Sequence, residues 1–330
     1  MATRDDHGST EDRLIARFFK PLATHPGALG LSDDAAFIKP PAGCDLVLKA
    51  DAIIGGVHFF PEDPADRVAQ KAMRVNLSDL AAKGARPLGF LVSLALQRDV
   101  GETWLAAFCD GLKADIGAFS CPLFGGDTDR TPGPITVSVA MFGAVPEGTM
   151  VRRAGAKSGD KIMVSGTIGD AALGLKARRA ELPKLSAAQR DHLLARYLLP
   201  QPRNAAAEAL RMYASAAMDI SDGLAGDLAK LCRVSGVAGE INAVKVPLSD
   251  AAKGALAAAP ALIETILTGG DDYEIVCTVA RDKAEAFKAA SDKAGVSLTE
   301  IGTVGAGEGL VIRDTQGQKL EFAHGSFSHF

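Results

Sequence analysis

Four short acidic segments carry the residues of this sequence best suited to chemistry: Ser32-Asp33-Asp34, Gly126-Asp127-Thr128, Asp219-Ile220-Ser221-Asp222-Gly223 and Gly269-Gly270-Asp271-Asp272. Most set carboxylates beside Gly, Ser or Thr at expected strand-to-helix junctions, where backbone N–H groups can face a phosphate and carboxylates a metal. Two carboxylates about 5 Å apart repel by roughly 3 kcal/mol at an effective dielectric of about 20, so several converging ones need cations. Hard oxygen donors select magnesium, manganese or calcium. One Asp beside a Gly is more often an ordinary turn or helix cap, and it is the recurrence that points to a metal-assisted anion site. No fixed period links the segments, so they are not repeats of a solenoid.

Other motifs narrow the chemistry. There is no G-x-x-x-x-G-K-[ST], and the turn Gly166-Thr167-Ile168-Gly169 lacks the lysine of a P-loop, so nucleotide phosphates would be handled largely through metals. His58, in Gly55-Gly56-Val57-His58-Phe59, sits in a Gly-permissive loop suited to substrate contact; a packed or solvent-facing loop histidine is the alternative. The histidines are scattered and assemble no serine or cysteine triad. Arg152 and Arg153 could hold a phosphate through bidentate hydrogen bonds, although adjacent arginines are more often solvated charge.

The elements that must position these residues follow from periodicity and punctuation. Ser9 and Asp12 have capping-box spacing ahead of the stripe Leu14, Ile15, Phe18 and Phe19, which predicts a helix over 10–20 ended by Pro21. Asp45 to Asp51 alternates as a strand, and Asp63-Pro64 then starts a long helix finishing at Gly84, with Asn76 and Asp79 in its second half. A strand over 88–96, a helix with the stripe Trp104, Leu105, Phe108, Leu112 and Ile116, a short strand running into Gly125-Gly126-Asp127-Thr128 and a strand over 135–145 complete the first half. Pro146, Gly148 and Arg152-Arg153 form the best linker, so the boundary is expected near residue 148, giving domains 1–148 and 149–330. The second half opens on a strand over 161–165 and a Gly-rich turn into a helix, then alternates helices and strands as an α/β or α+β unit.

Composition agrees with this organisation. At 330 residues the chain exceeds what one core usually serves. Lys and Arg total 36 against 40 Asp and Glu, so no basic surplus suggests nucleic-acid binding and small molecules are the expected partners. Five cysteines without a C-x-x-C pair suggest reduced, mostly buried thiols rather than disulfides or a thiolate zinc site. The charged first residues and the absence of a long apolar run lead to the expectation of a cytoplasmic protein with no membrane segment.

The ordered set Ser32-Asp-Asp-Ala-Ala, Asp51-x-x-x-x-Gly-Val-His-Phe, Asn76-Leu-Ser-Asp-Leu-Ala-Ala-Lys-Gly-Ala, Gly125-Gly-Asp-Thr, Arg153-Ala-Gly-Ala-Lys-x-Gly-Asp, Ser165-Gly-Thr-Ile-Gly-Asp, Asp219-Ile-Ser-Asp-Gly-Leu and Gly269-Gly-Asp-Asp-Tyr-Glu, with the tail Ser328-His329-Phe330, resembles the thiamine-monophosphate kinase family along nearly the whole chain. The resemblance implies an aminoimidazole ribonucleotide synthetase-like fold in two domains: an N-terminal α/β domain that binds metal and ATP and pairs in a homodimer, and a C-terminal α+β domain that completes the ATP and substrate site. It implies ATP-dependent phosphorylation of thiamine monophosphate to thiamine diphosphate, assisted by several magnesium ions. By motif match, Asp34, Asp51, Asp79, Asp127, Asp219 and Asp222 would hold magnesium. Of these, Asp79, Asp127 and Asp222 would be the catalytic group. Gly126, Asp127, Arg153 and Ser221 would contact ATP, and His58, Asp271 and Phe327 would line the thiamine-phosphate pocket.

Three departures from the usual family pattern stand out. Ser32 stands where Gly is normal, and Asp271 where the longer Glu is common. Lys49 and Ala50 stand where hydroxyl residues are common, so metal contact there would come from backbone carbonyls, or Lys49 would itself supply part of the cationic charge. The alternatives are another ATP-using enzyme of the same superfamily, disfavoured by the Gly-Val-His-Phe and Gly-Gly-Asp-Asp-Tyr-Glu segments, and a non-catalytic binder of thiamine phosphate or metal.

Overall fold

The computed structural model describes residues 10–322 and residue 326. Their contacts divide the chain into two units, one of residues up to Asn76 with Pro87–Ala144, the other of Leu77–Arg86 with Val145 onward.

In the first unit, α1 (Thr10–Leu14) gives way to a π-helical turn over Ile15–Phe19 and a 3-10 turn over Lys20–Leu22. The helix expected over 10–20 is therefore broken: Pro21 restricts the backbone before it and supplies no N–H, and the chain widens rather than continuing. Ser9 lies outside the described residues. The rest of the unit runs β1 (Cys44–Ile54), α2 (Ala65–Ala82), β2 (Arg86–Leu96), α3 (Glu102–Phe119), β3 (Leu123–Arg130) and β4 (Thr136–Pro146). The strands form one sheet in the order β1-β4-β2-β3, with β2 and β3 parallel. β4 alternates buried Val137, Val139 and Met141 with partly exposed neighbours, the signature of a strand with one face on a core. The helices join through a buried charge: Asp115 of α3 accepts from Arg74 Nε and Nη2 of α2 at 2.8 and 2.9 Å and from Gln70 at 2.9 Å. A fully buried carboxylate is tolerable because its oxygens are engaged this way.

The second unit contains β5 (Lys161–Ser165), α4 (Asp170–Arg178), α5 (Ala187–Leu198), α6 (Ala207–Tyr213), β6 (Ala214–Asp219), α7 (Leu224–Ser235), β7 (Ala238–Asn242), α8 (Asp250–Ala258), α9 (Leu262–Thr268), β8 (Ile275–Val279), α10 (Ala284–Lys293), β9 (Leu298–Gly305) and β10 (Gly309–Arg313). The six strands order as β10-β7-β9-β5-β8-β6, antiparallel except for the β10–β7 pair. The middle strands are covered on both faces. Ile162 and Val164 of β5 and Val276 of β8 enter one core with α7 and α8, while Met163, Ile275, Cys277 and Val279 enter the other with α6 and α10. That is why these strands read as near-continuous apolar runs rather than alternating ones.

The last turns of α2 belong to this second unit. Ala81 and Ala82 are part of its core, Asn204 Nδ2 donates to the Leu77 carbonyl at 3.1 Å, and Lys83 Nζ donates to the Ala217 carbonyl at 2.7 Å. Four of the five cysteines are buried and none forms a disulfide, and burial pushes Cys109, Cys121 and Cys277 up to about 12. No helix among the described residues is long and apolar enough to cross a membrane.

Candidate active site

In the first unit the expected site residues come from β1, β3 and two loops. The segment Gly125–Thr128 is strand, not a loop after one: β3 runs parallel to β2, with Gly126 opposite Val92 and Asp127 opposite Ser93. Gly126 is required by that closeness, since a Cβ there would lie 1.7 Å from the Val92 carbonyl oxygen. Asp127 is exposed, and its Oδ1 accepts from the Thr128 N–H at 2.9 Å. Asp34 is also exposed, its N–H donating to Asp33 Oδ1 at 2.8 Å. Although far apart in sequence, Asp34, Gly126 and Asp127 line one cavity of about 740 Å³, whose apolar wall includes Phe37, Leu46, Leu48 and Phe142. Shape and lining suit a ligand with a charged end and an apolar or aromatic body.

Asp51 lies on β1, half-buried. Its N–H donates to Asn76 Oδ1 at 2.9 Å and its Oδ1 lies 3.0 Å from Lys49 Nζ, while Ala50 between them points to the exposed side. His58 follows β1 in the expected loop. The Ile54 N–H donates to its Nδ1 at 3.1 Å, which leaves the proton of the neutral ring on Nε2, and Lys71 Nζ donates to its carbonyl at 2.8 Å.

In the second unit, antiparallel pairing of β6 with β8 sets Asp219 opposite Ile275, and the ladder continues beyond both strand ends. Ile220 N–H donates to Glu274 O at 2.8 Å, Tyr273 N–H to Ile220 O at 2.8 Å, and Asp271 N–H to Ser221 O at 2.9 Å. The two acidic motifs are thus zipped together, bringing Asp219, Ser221, Asp222 and Asp271 to one place. Asp271 and Tyr273 both take positive φ, 73° and 50°, a region that Asp tolerates better than most residues. Asp79 lies half-buried in the last turns of α2, which belong to this unit; the preceding Ser78 hydroxyl donates to the Tyr273 carbonyl at 3.5 Å. Arg153 is exposed on the segment before β5; its carbonyl accepts from Ser235 Oγ at 3.1 Å, and Arg152 O accepts from Ala217 N at 2.9 Å. Phe327 lies outside the described residues, as does the tail after it.

Several residues that organise this half were given no role by the sequence. Glu274, fully buried, accepts from Arg196 at 2.8 Å, from Arg203 Nε at 2.6 Å and from Ser165 Oγ at 2.6 Å. Asp227, also buried, accepts from the Ser221 and Asp222 N–H groups at 3.0 and 2.9 Å and lies 3.0 Å from Lys230 Nζ, which also pairs with Asp222. Burial pushes the Asp227 carboxyl up, against the pull of those backbone donors and of Lys230. The Gly166–Gly169 turn does not offer its helix start to an outside phosphate: Asp272 takes the N–H groups of Gly169 at 2.7 Å and Ala171 at 3.3 Å. Asp and Glu partners reaching back from later helices or strands are invisible until the fold places them.

The candidate ligands offer carboxylate and backbone carbonyl oxygens, the donor class that magnesium takes. Among the described residues no three His, Cys, Asp or Glu side chains gather closely enough to hold a metal by themselves. Two of the carboxylates carry a lysine ammonium instead, Asp51 that of Lys49 and Asp222 that of Lys230, so positive charge already sits against them. The set fits magnesium in kind, with phosphate oxygens and water as the remaining ligands this ion prefers.

Residues 32–145 match the family model of the AIR synthase related protein, N-terminal domain, and residues 157–315 that of its C-terminal domain. The chain is 41% identical over 324 residues to the thiamine-monophosphate kinase of Caulobacter vibrioides, covering 96% of this chain and 91% of that relative. It superposes on the crystal structure of thiamine-monophosphate kinase from Stenotrophomonas maltophilia K279a with a TM-score of 0.83 at 37% identity, covering 96% of this chain and 98% of that one. A second structure, AaThiL complexed with AMPPCP and TMP, superposes with a TM-score of 0.77 at 33% identity over 90% and 91% of the two chains.

Proposed function

The chain belongs to the thiamine-monophosphate kinase family within the AIR synthase related proteins, and from that premise we propose that it transfers the γ-phosphoryl group of ATP to the phosphate of thiamine monophosphate, giving thiamine diphosphate and ADP. The observation that carries this reading is the extent of the similarity, which runs along 96% of the chain and takes in both halves rather than a nucleotide-handling part alone. The related structure that holds an ATP analogue together with TMP supports the same pair of reactants here.

Both reactants are anionic, which accounts for the acidic character of the candidate site. Magnesium, when bound, screens the phosphates and stabilises charge in an in-line transfer. Asp34, Asp51 and Asp127 are the side chains proposed to hold such ions in the first unit, with Lys49 supplying fixed positive charge beside Asp51, and Asp79, Asp219 and Asp222 those proposed in the second. Gly126 would let the backbone approach a phosphate closely, Ser221 would offer a hydroxyl, and Arg153 a guanidinium for charge-assisted hydrogen bonds. His58 with its proton on Nε2, Asp271 and Phe327 are proposed for the acceptor. The acceptor phosphate is already ionised near neutral pH, so no residue is needed to remove a proton from it. The proposed setting is a soluble cytoplasmic homodimer paired through the N-terminal domain; a stable, active monomer in analytical ultracentrifugation would contradict the dimer.

The test is incubation of the purified protein with thiamine monophosphate, ATP and magnesium, with products followed chromatographically. Equal amounts of thiamine diphosphate and ADP, formed only with metal and not from free thiamine, are expected. ATP binding by a folded protein without diphosphate formation would overturn the assignment.

A further inference from the structure

The turn Asp219–Gly223 is shaped by two residues of α7. Asp227 Oδ2 accepts from the N–H groups of Ser221 and Asp222, its Oδ1 faces Lys230 Nζ at 3.0 Å, and the same ammonium closes on Asp222 Oδ2. Asp227 is buried completely, whereas Lys230 and Asp222 keep about a third of their side chains exposed, 31% and 35%. One ammonium therefore serves two carboxylates of different kinds: a buried one that holds the backbone of the turn, and one that the turn presents outward.

We propose that Lys230 is a positioning residue that acts as the resident counter-ion of Asp222, holding this carboxylate until a divalent cation takes it and so setting the cation concentration at which the turn is loaded. The inference rests on the reading of Asp222 as a magnesium ligand. An ammonium and a divalent cation compete for the same carboxylate oxygen, and two cations at that spacing repel in a half-buried site far more than in water. Loading Asp222 then requires Lys230 to withdraw to Asp227 alone, where a buried carboxylate remains to receive it. A purely structural lysine, present only to neutralise Asp227, would have no such effect on cation binding.

The test is a titration of the full-length protein with manganese, without nucleotide or thiamine monophosphate, following free manganese by electron paramagnetic resonance. Lys230→Gln is expected to tighten manganese binding by about tenfold or more, Lys230→Arg to leave it near the wild-type value, and Asp222→Asn in the Lys230→Gln background to cancel the gain. Because removal of Lys230 leaves Asp227 without its ammonium, the pair Asp227→Asn with Lys230→Met is measured in parallel and is expected to tighten binding as well. Unchanged or weaker binding in folded Lys230→Gln and in the folded Asp227→Asn, Lys230→Met pair, or a gain that survives Asp222→Asn, would overturn the proposal. The titration involves no phosphoryl transfer, so a failure of the kinase assignment and a failure of this inference are read separately.

Discussion

The backbone N–H of Asp271 donates to the carbonyl oxygen of Ser221 at 2.9 Å, extending the β6–β8 ladder past the ends of both strands. The residue proposed for the acceptor and the residue proposed for ATP are therefore fixed to one another by main chain. Glycine makes this possible, since a Cβ at Gly270 would lie 2.3 Å from the Ser221 carbonyl oxygen.

Gly270→Ala is accordingly expected to force the two segments apart. Overpacking of this kind costs about 1–3 kcal/mol, and urea denaturation should show it, together with a higher KM for thiamine monophosphate. An unchanged denaturation midpoint and KM would mean that the ladder beyond the strands yields freely.

Glu274→Ala should be the more damaging change. It leaves the Arg196 and Arg203 guanidinium groups without the carboxylate they share, and breaking a buried pair by removing one partner costs about 3–5 kcal/mol. Glu274→Gln keeps an acceptor for one of them and is expected to lose less. Thermal denaturation of the three proteins orders them, and an alanine variant as stable as wild type would show that the arginines find other partners.

Asp79→Asn and Asp127→Asn are expected to lower kcat by about a hundredfold or more with little change in melting temperature. Asp127 is exposed and Asp79 half-buried, so neither supports a core. Near-normal turnover in either variant would remove that residue from the mechanism.

Acid sensitivity has a local contributor away from the site. Lys161 Nζ donates to Glu300 at 2.7 Å, and this hydrogen bond, more than the opposing effect of burial, holds the Glu300 carboxyl below the usual carboxylate range. With the folded pKa depressed, the pair stabilises the protein above the unfolded pKa, and that contribution is lost as pH falls through the folded value. Both groups are partly exposed, so the effect is at most about 1 kcal/mol. Glu300→Gln should be less stable than wild type at pH 7, the difference closing as the pH falls through the depressed folded pKa; a difference that persists once the carboxyl is protonated would assign it to packing instead.

Much of this fold could be read before the structure. β5 spans its apolar run Ile162-Met163-Val164 with one polar residue at each end, α2 starts just beyond Asp63-Pro64, and α4 opens directly after its Gly-rich turn. Those features are local, written in periodicity and in glycine and proline punctuation. Gly125–Thr128 was not legible as strand because two glycines and an aspartate carry no strand propensity; parallel pairing with β2 overrides it. The bracing roles of Asp227, Lys230, Glu274 and Arg203 were illegible for another reason. Apart from the Asp227–Lys230 pair within α7, their partners lie on other turns or strands, and no spacing in the sequence announces a carboxylate that reaches back to brace an earlier loop. The Asp272 side chain shows the same limit from the opposite side, filling a helix start that glycine spacing alone would leave to a phosphate.

The helix α2 has its first residues, through Asn76, in one unit and its last turns, from Leu77, in the other. Genetic exchange between relatives of this protein therefore cannot follow a single breakpoint near the middle of the chain. A chimera joined once after Ala144 would inherit the core residues Ala81 and Ala82, and the lysine that reaches Ala217, from the wrong parent. Intact transplantation of the C-terminal unit needs the short segment Leu77–Arg86 to travel with it, so viable recombinants should show a mosaic of three junctions in place of one.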